Sequence, residues 1–291
     1  MGFFDFFKRK KTDPESQLRE LLEGYELPSF PAAVVKTLEM LRDPEAPLKE
    51  ISRNIEADPG MHVSVLKAVN SAAHGLSRKV GNIRHAITLL GRARLESIIL
   101  PIAVRNSVPD GNMACLDQGL FWKTSAQRAC IARIIARHLD PMVQMESFTA
   151  GLLQDMAIPV LIHVKEREYC TTIESWNVDQ GVHLHELERQ HFGFDHQAIG
   201  ALMAEKWGFP DYLLEAILYH HSGRNGSGVA RAVGAVSQLR YSSGDPDGAN
   251  DENMLGILQE MLGVEREDAL QITSQAYEEA EEFSTLFAHV T

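Results

Sequence analysis

Apolar residues recur at helical spacing along almost the whole chain, and strict alternation of the strand type is scarce. Leu18, Leu21 and Leu22 make the first stripe, behind the Asp13-Pro14 start signal and before Gly24. Leu27 to Pro31 reads as an extended entry with a proline at each turn. Helices are predicted over Pro31–Leu41 and Pro47–Ala57. Another follows the Asp58-Pro59 cap and carries Val63, Leu66, Val69 and Asn70-Ser71. Ile83, Ala86, Ile87 and Leu90 form a face closed by Gly91, and the helix after it, Arg92 to Asn106, should bend near Pro101. Pro109 to Asn112 is a loop. A long helix, Gln118 to Leu139, stops at Asp140-Pro141. The apolar stretch Gly151 to Ala157 encloses one polar pair, Gln154-Asp155, in what reads as a buried helix, and Pro159 opens the next. His183 to His191 is amphipathic and polar, and Asp195 caps a helix that begins with His196 and ends near Gly208. Pro210 opens the helix that ends at His220-His221. After the Gly/Ser-rich break Ser222–Gly228 comes a helix to Tyr241 and then the clearest linker, Ser242 to Asn250. Two helices with acidic outer faces fill Asp251 to Glu282, where Arg266 is the single base. The predicted fold is all-α, a stack of many helices with contacts mostly between sequence neighbours.

Composition narrows the class. The 291 residues allow a sizeable core, and 44% hydrophobic with 23% charged residues is ordinary for a globular chain. A net charge of −12 argues against direct nucleic-acid binding. Cys115, Cys130 and Cys170 lie far apart and form no CxxC pair, so they read as reduced core thiols of a cytoplasmic protein. No apolar run approaches the roughly 20 residues of a membrane span. The start, Met1 to Lys11, has its bases after its aromatics, unlike a signal peptide. It is either a disordered beginning or an aromatic-basic foot making weak contact with anionic membrane or a partner.

The candidate chemistry lies around Gln154-Asp155. One carboxylate and the imidazoles of His196, His220 and His221 can converge from three helices, as metal sites in helical bundles do. A hydrolytic site of that type would carry His-Asp rather than Gln-Asp, because a neutral amide is a poor ligand. A second feature is the basic run Arg78, Lys79, Arg84, Arg92, Arg94 and Arg105, opposed only by Glu96. It could hold an anionic partner, a nucleotide or a phosphorylated segment, or it could be a solvated face. His183, His185 and His191 are expected on the surface. Neither a phosphate-binding Gly-rich loop nor a nucleophile elbow is present.

An ordered series of short motifs carries a resemblance. It runs through Leu27 to Pro31, Asp58-Pro59, Asn70-Ser71, Ile83, Ala86-Ile87, Leu90-Gly91, Phe121-Trp122 to Ser125, Gly151 to Leu153, His196, Trp207 to Pro210 and His220-His221. With it the chain resembles the HDOD proteins, bacterial signalling proteins related to the HD and HD-GYP metal-dependent phosphohydrolases. The resemblance covers about Tyr25 to Tyr241. It implies an all-α HDOD fold over 13–241, with a helical subdomain 13–108 and an HD-like core 118–241. Flanking these are a flexible 1–12, a linker 242–251 and an acidic helical tail 252–291. The resemblance also implies lost hydrolase chemistry. The first metal histidine of HD enzymes falls near Thr124, Gln154 replaces the doublet histidine, and the helix Ala230–Leu239 has no acid for the last ligand.

The remnant positions are therefore Thr124, Gln154, Asp155, His196, His220 and His221. Asp155 is expected to be structural, a buried carboxylate paired with those histidines, of which one in the His220-His221 doublet should face inward and one outward. The functional expectation is a non-enzymatic regulatory module of bacterial signal transduction with no cofactor, binding a signalling protein or a small nucleotide. The enzyme-class alternative is a divalent-metal phosphohydrolase acting on a nucleotide or cyclic dinucleotide, with Asp155, His196, His220 and His221 as its reduced ligand set.

Overall fold

A computed structural model describes residues 14–70, 79–111, 113–179, 181–222, 228–240 and 249–284. The aromatic-basic start, Arg78 and most of the predicted linker at 242–250 lie outside these residues. Helices dominate, and among the described residues the only β-type pairing is an isolated bridge between Met113 and Leu116.

The first half is α1 (Pro14–Leu21), α2 (Ala32–Arg42), α3 (Leu48–Glu56), α4 (Pro59–Val69), α5 (Ile83–Leu90) and α6 (Arg92–Ser107). Short side chains start two of them: Asp58 accepts from Met61 N at 3.0 Å and Asn82 from His85 N at 2.8 Å. Such caps contribute about 1 kcal/mol each. The helix α6 is assigned continuously through the buried Pro101. Asn70 closes the segment after α4, donating to Leu66 O and Val80 O and accepting from Val80 N at 2.6 Å. That is a local backbone role.

The second half is built on α7 (Gln118–Leu139), which Asp117 caps through Leu120 N at 3.0 Å. Then come α8 (Gln144–Leu153), α9 (Ile158–Val164), α10 (Glu166–Val178), α11 (Leu184–Phe192), α12 (His196–Lys206), α13 (Asp211–Tyr219) and α14 (Gly228–Val236). The last two are α15 (Ala249–Leu262) and α16 (Arg266–Ser284). The packing departs from a neighbour-to-neighbour stack, because α7 is a hub that touches α8, α14 and α16. Apolar residues cover most of its circumference, so it is buried on several sides at once. The acidic helix α16 turns Ala269, Ala276, Ala280 and Phe283 inward, and Phe283 meets Phe148 of α8 edge-on at 5.1 Å. Phe30, Trp207 and Phe209 form a second cluster, which joins the N-terminal half to the end of α12.

Three expectations are corrected here. Cys115 and Cys170 are joined in a disulfide across 55 residues, with Cα atoms 5.3 Å apart, and only Cys130 is a free, buried thiol. Sequence distance hid the pair, because α10 returns to the loop before α7. Secondly, Gln154 and Asp155 are not within a helix but in the turn from α8 to α9. Thirdly, Pro141–Val164 is long and apolar enough, by composition, to cross a membrane. It is interrupted at that turn, and 89% of its most apolar window is buried inside the fold.

The basic run also separates by structure. Lys79 and Arg84 are exposed and Arg94 is half-buried. Arg92 instead donates to the carbonyls of Met40 (2.9 Å), Asp43 (2.8 Å), Pro44 (3.2 Å) and Ala46 (2.5 Å), tying the α2–α3 connection to the start of α6. Arg105 is buried, paired with Asp110 at 3.1 Å and set over the Trp122 ring. Glu96 pairs with Arg42 at 2.7 Å.

Candidate functional site: a carboxylate between an arginine and three histidines

Asp155 can reach the core because α8 lies hard against α7. A Cβ on Gly151 would sit 3.2 Å from Ala129 Cα, Ala132 Cβ and Arg128 O, so a larger residue would push α8 and α7 apart by a few tenths of an ångström. The turn at the end of α8 then delivers the Asp155 carboxylate into the space between α7, α12 and the end of α13.

The carboxylate divides its two oxygens between two kinds of partner. Oδ2 is bound by the Arg128 guanidinium from α7, which also donates to Leu239 O just beyond α14. Oδ1 lies 3.2 Å from His220 Nε2 and 3.4 Å from His196 Nε2. His196 Nε2 is in turn 3.1 Å from His220 Nε2 and 3.0 Å from His221 Nε2. The four ligand-type atoms of Asp155, His196, His220 and His221 lie within 4.8 Å of one another. Both imidazoles of the doublet turn to the same point, so the expectation that one faces outward is corrected. The helix α13 ends at Tyr219, and the doublet falls in the turn that follows, where successive side chains need not diverge.

A second layer fixes the rings. His196 heads α12, whose cap Asp195 accepts from Ala198 N at 2.9 Å and is held by Arg189 at 2.6 Å. Glu188 Oε2 accepts from His196 N at 2.9 Å and meets its Nδ1 at 2.6 Å. Tyr169 of α10 donates its hydroxyl to Glu188 Oε1. His220 Nδ1 lies 2.7 Å from Ile217 O. The outer nitrogens of His196 and His220 thus have fixed partners, and their Nε2 atoms are left facing inward, the arrangement that orients metal-binding imidazoles.

The groups of the centre shift one another's protonation. Burial alone would raise the Asp155 carboxyl, but the Arg128 charge and the contacts of His196 and His220 hold it well below the usual carboxylate range. Burial works against a charged His196, yet the Glu188 charge and the Asp155 contact lift it to about 10. His220 and His221 go the other way, pushed down by burial, and in His221 by neighbouring imidazoles as well. One protonated ring, one guanidinium and two carboxylates make a compensated centre.

The remaining positions fall as follows. Thr124 and Gln154 are buried, and both side-chain amide atoms of Gln154 lack a hydrogen-bond partner. Thr124 is one turn before Arg128, on the same face of α7. His183 and His191 are exposed as read from the sequence, but His185 is half-buried and stacks on His221 with centroids 4.1 Å apart. Burial and the neighbouring positive charges push His185 down to about 3. The residues missed by sequence reasoning are Arg128, Glu188 and Tyr169. Arg128 had one signal, a lone charge inside the apolar run Ala126 to Ala132. Glu188 had another, its place four residues after Leu184 on the inward face of α11.

The four inward atoms fit a single divalent cation, with one carboxylate oxygen and three imidazoles, of which His196 would have to give up its proton to ligate. They do not fit two, because the second oxygen of Asp155 belongs to Arg128. The space left is small: the cavity bordered by Arg128, Asp155, His196 and His221 measures about 30 Å³.

The HDOD domain profile matches residues 27–223. The chain belongs to the HDOD family. Among solved structures, this HDOD chain is similar to a Shewanella amazonensis protein described provisionally as a phosphohydrolase, at 23% identity and a TM-score of 0.74. The match covers 94% of this chain and 99% of the other. An HDOD domain protein of unknown function from Geobacter sulfurreducens matches at 20% identity and TM-score 0.65, over 94% and 97%. A Marinobacter aquaeolei protein provisionally named for signal transduction matches at 19% and TM-score 0.69, over 97% of this chain and 62% of its own. At these identities the likeness shows the fold. Among curated proteins, an uncharacterised protein of Treponema pallidum is 21% identical over 201 residues, 68% of this chain and 38% of that protein.

Proposed function

We propose that this HDOD chain is a non-enzymatic regulatory module of bacterial signal transduction, acting by binding a protein partner, with a closed, degenerate HD centre at its core. The observation that carries this reading is the Arg128 guanidinium on Asp155 Oδ2 and Leu239 O. A tethered cation stands beside the carboxylate, Gln154 stands where the resemblance puts the doublet histidine, and Leu239, just beyond α14, offers a carbonyl in place of an acid. A cavity of about 30 Å³ accepts a water or one ion, whereas pockets for drug-sized ligands span roughly 300–1,000 Å³. That favours a protein partner over a nucleotide held in the remnant cleft. The related proteins all come from bacteria, and one carries a signal-transduction name.

The second reading, a divalent-metal phosphohydrolase, is favoured by the convergence of Asp155, His196, His220 and His221. A cation bound there would supply Lewis-acid chemistry and a more acidic bound water. The chain's own groups would then hold His196 by Glu188 and Tyr169 and neutralise Asp155 through Arg128.

The test is turnover of bis-p-nitrophenyl phosphate and cyclic dinucleotides in Mn²⁺, Fe²⁺ and Mg²⁺, with metal content measured after chelator-free purification. The expected outcome is no turnover under any metal. Hydrolysis that disappears in Asp155→Ala would overturn the proposal in favour of the enzyme.

A further inference from the structure

The disulfide lies outside the histidine centre, and its surroundings suggest a use. Cys115 belongs to the connection between the two halves of the fold, and Cys170 to the second turn of α10. Both cysteines are partly exposed. Cys115 borders an open groove of about 590 Å³, large enough for a small molecule, between that connection and α10. Its walls include Met113, Ala114, Ile173 and Asn177, and its charged lining residues are Asp117 and Glu174, both exposed carboxylates. No base lines it. The third cysteine cannot interfere, since burial pushes the Cys130 thiol up to about 12 and the side chain is enclosed.

We propose that the Cys115–Cys170 disulfide is a reversible exchange site for a neutral or cationic low-molecular-weight thiol, which enters the groove and attacks Cys115. Exchange needs an attacking thiolate with access to one sulfur and a leaving group on the other. The incoming RS⁻ bonds to Cys115 Sγ. The Cys115–Cys170 bond breaks, and its electron pair leaves on Cys170 Sγ, which takes a proton from water. A second RSH attacks the mixed disulfide, releasing R–S–S–R and the Cys115 thiol. Two external thiols are oxidised, and the protein disulfide gains two electrons and two protons. Oxidation by R–S–S–R runs the same steps backwards. The two carboxylates select the thiol, because they repel an anionic reagent and attract a cationic one.

The opening reaches the histidine centre along α10. Cys170 follows Tyr169, whose hydroxyl holds Glu188, and Glu188 holds both the backbone N–H and the Nδ1 of His196. Releasing α10 from the 113–116 connection frees the element that positions His196. Neither the exchange nor this link depends on whether the centre hydrolyses anything.

The experiment uses the full chain without denaturant at low salt. Reduction by cysteamine, 2-mercaptoethanol and 2-mercaptoethanesulfonate is followed by mass spectrometry at equal thiolate concentrations. The expected rate order is cationic, neutral, anionic, with about tenfold or more between the extremes, a spread that two nearby charges can produce. The spread should narrow in Glu174→Gln and in high salt. Hydrogen exchange over 184–196 should rise on reduction, and Cys115→Ser/Cys170→Ser should match the reduced form. Should that double variant fail to fold, the reduced wild type carries the comparison. A chain without the disulfide that small-molecule disulfides cannot oxidise would overturn the proposal. So would a bond that opens only in denaturant, or equal rates for all three thiols. Unchanged exchange over 184–196 with the bond open would overturn the link to His196.

Discussion

Arg128 and Asp155 are both almost wholly enclosed. Removing one member of such a pair leaves the other buried and unpaired, which costs about 3–5 kcal/mol. Asp155→Ala and Arg128→Ala should therefore each lower the melting temperature sharply. The double variant should lose much less than the sum, because the second substitution removes the orphan left by the first. Thermal melts of the four proteins measure that coupling. Run with and without EDTA, they also separate the readings, since only a metal-loaded wild type should be destabilised by chelator. At this scale the sequence was half legible. Asp155, His196, His220 and His221 could be named because an isolated polar group in an apolar run must have a reason. Their partners could not, because Arg128 lies 27 residues from Asp155, Tyr169 lies 19 from Glu188, and Glu188, though eight from His196, meets it only once α11 and α12 pack. The pairing of Asp155 was thus expected with histidines alone, whereas its second oxygen is taken by arginine.

Helices were the most legible level. Asp58, Asp117 and Asp195 stand as caps where short acidic side chains precede apolar stripes, and each accepts the backbone N–H three residues on. Less legible was what charged residues on those helices do. The same basic run contains Arg84, exposed on α5, and Arg92, which collects four carbonyls at the start of α6. Arg92→Ala should cost about 1.5–3 kcal/mol, the range for hydrogen bonds to a charged group, whereas Arg84→Ala should stay within about 0.5 kcal/mol. Urea unfolding of the two variants distinguishes them. A charge reversal at Arg92 is accordingly a poor probe of any docking surface, since it would disturb the α2–α3 connection itself. The disulfide belongs to this scale too. Closing a loop of 55 residues restricts the unfolded chain by about 4 kcal/mol on the chain-entropy account. Cys115→Ser/Cys170→Ser should lower the unfolding free energy by a comparable amount, with the native circular dichroism retained.

The architecture as a whole turns on α7, which packs against α8, α14 and α16 and carries Arg128 between them. Hydrophobic spacing marked α7 as a long helix but could not show how many neighbours it serves, because apolar residues cover most of its circumference and give no single direction. The acidic C-terminal segment was similarly ambiguous: its charges read as a solvated tail, while its inward stripe of Ala269, Ala276, Ala280 and Phe283 closes the far side of α7. Truncation at 248 would uncover that side. Such a chain is expected to melt well below the full protein and to bind a hydrophobic dye, a comparison that light scattering and calorimetry can make directly. The guanidinium on α7 has one more consequence. A divalent ion in a protein is in equilibrium with its surroundings, so starvation, chelation or dilution can empty its site. The positive charge against Asp155 Oδ2 is covalently part of the polypeptide and is made whenever the ribosome makes the chain. Whatever the metal supply of the cell, this half of the centre is born occupied.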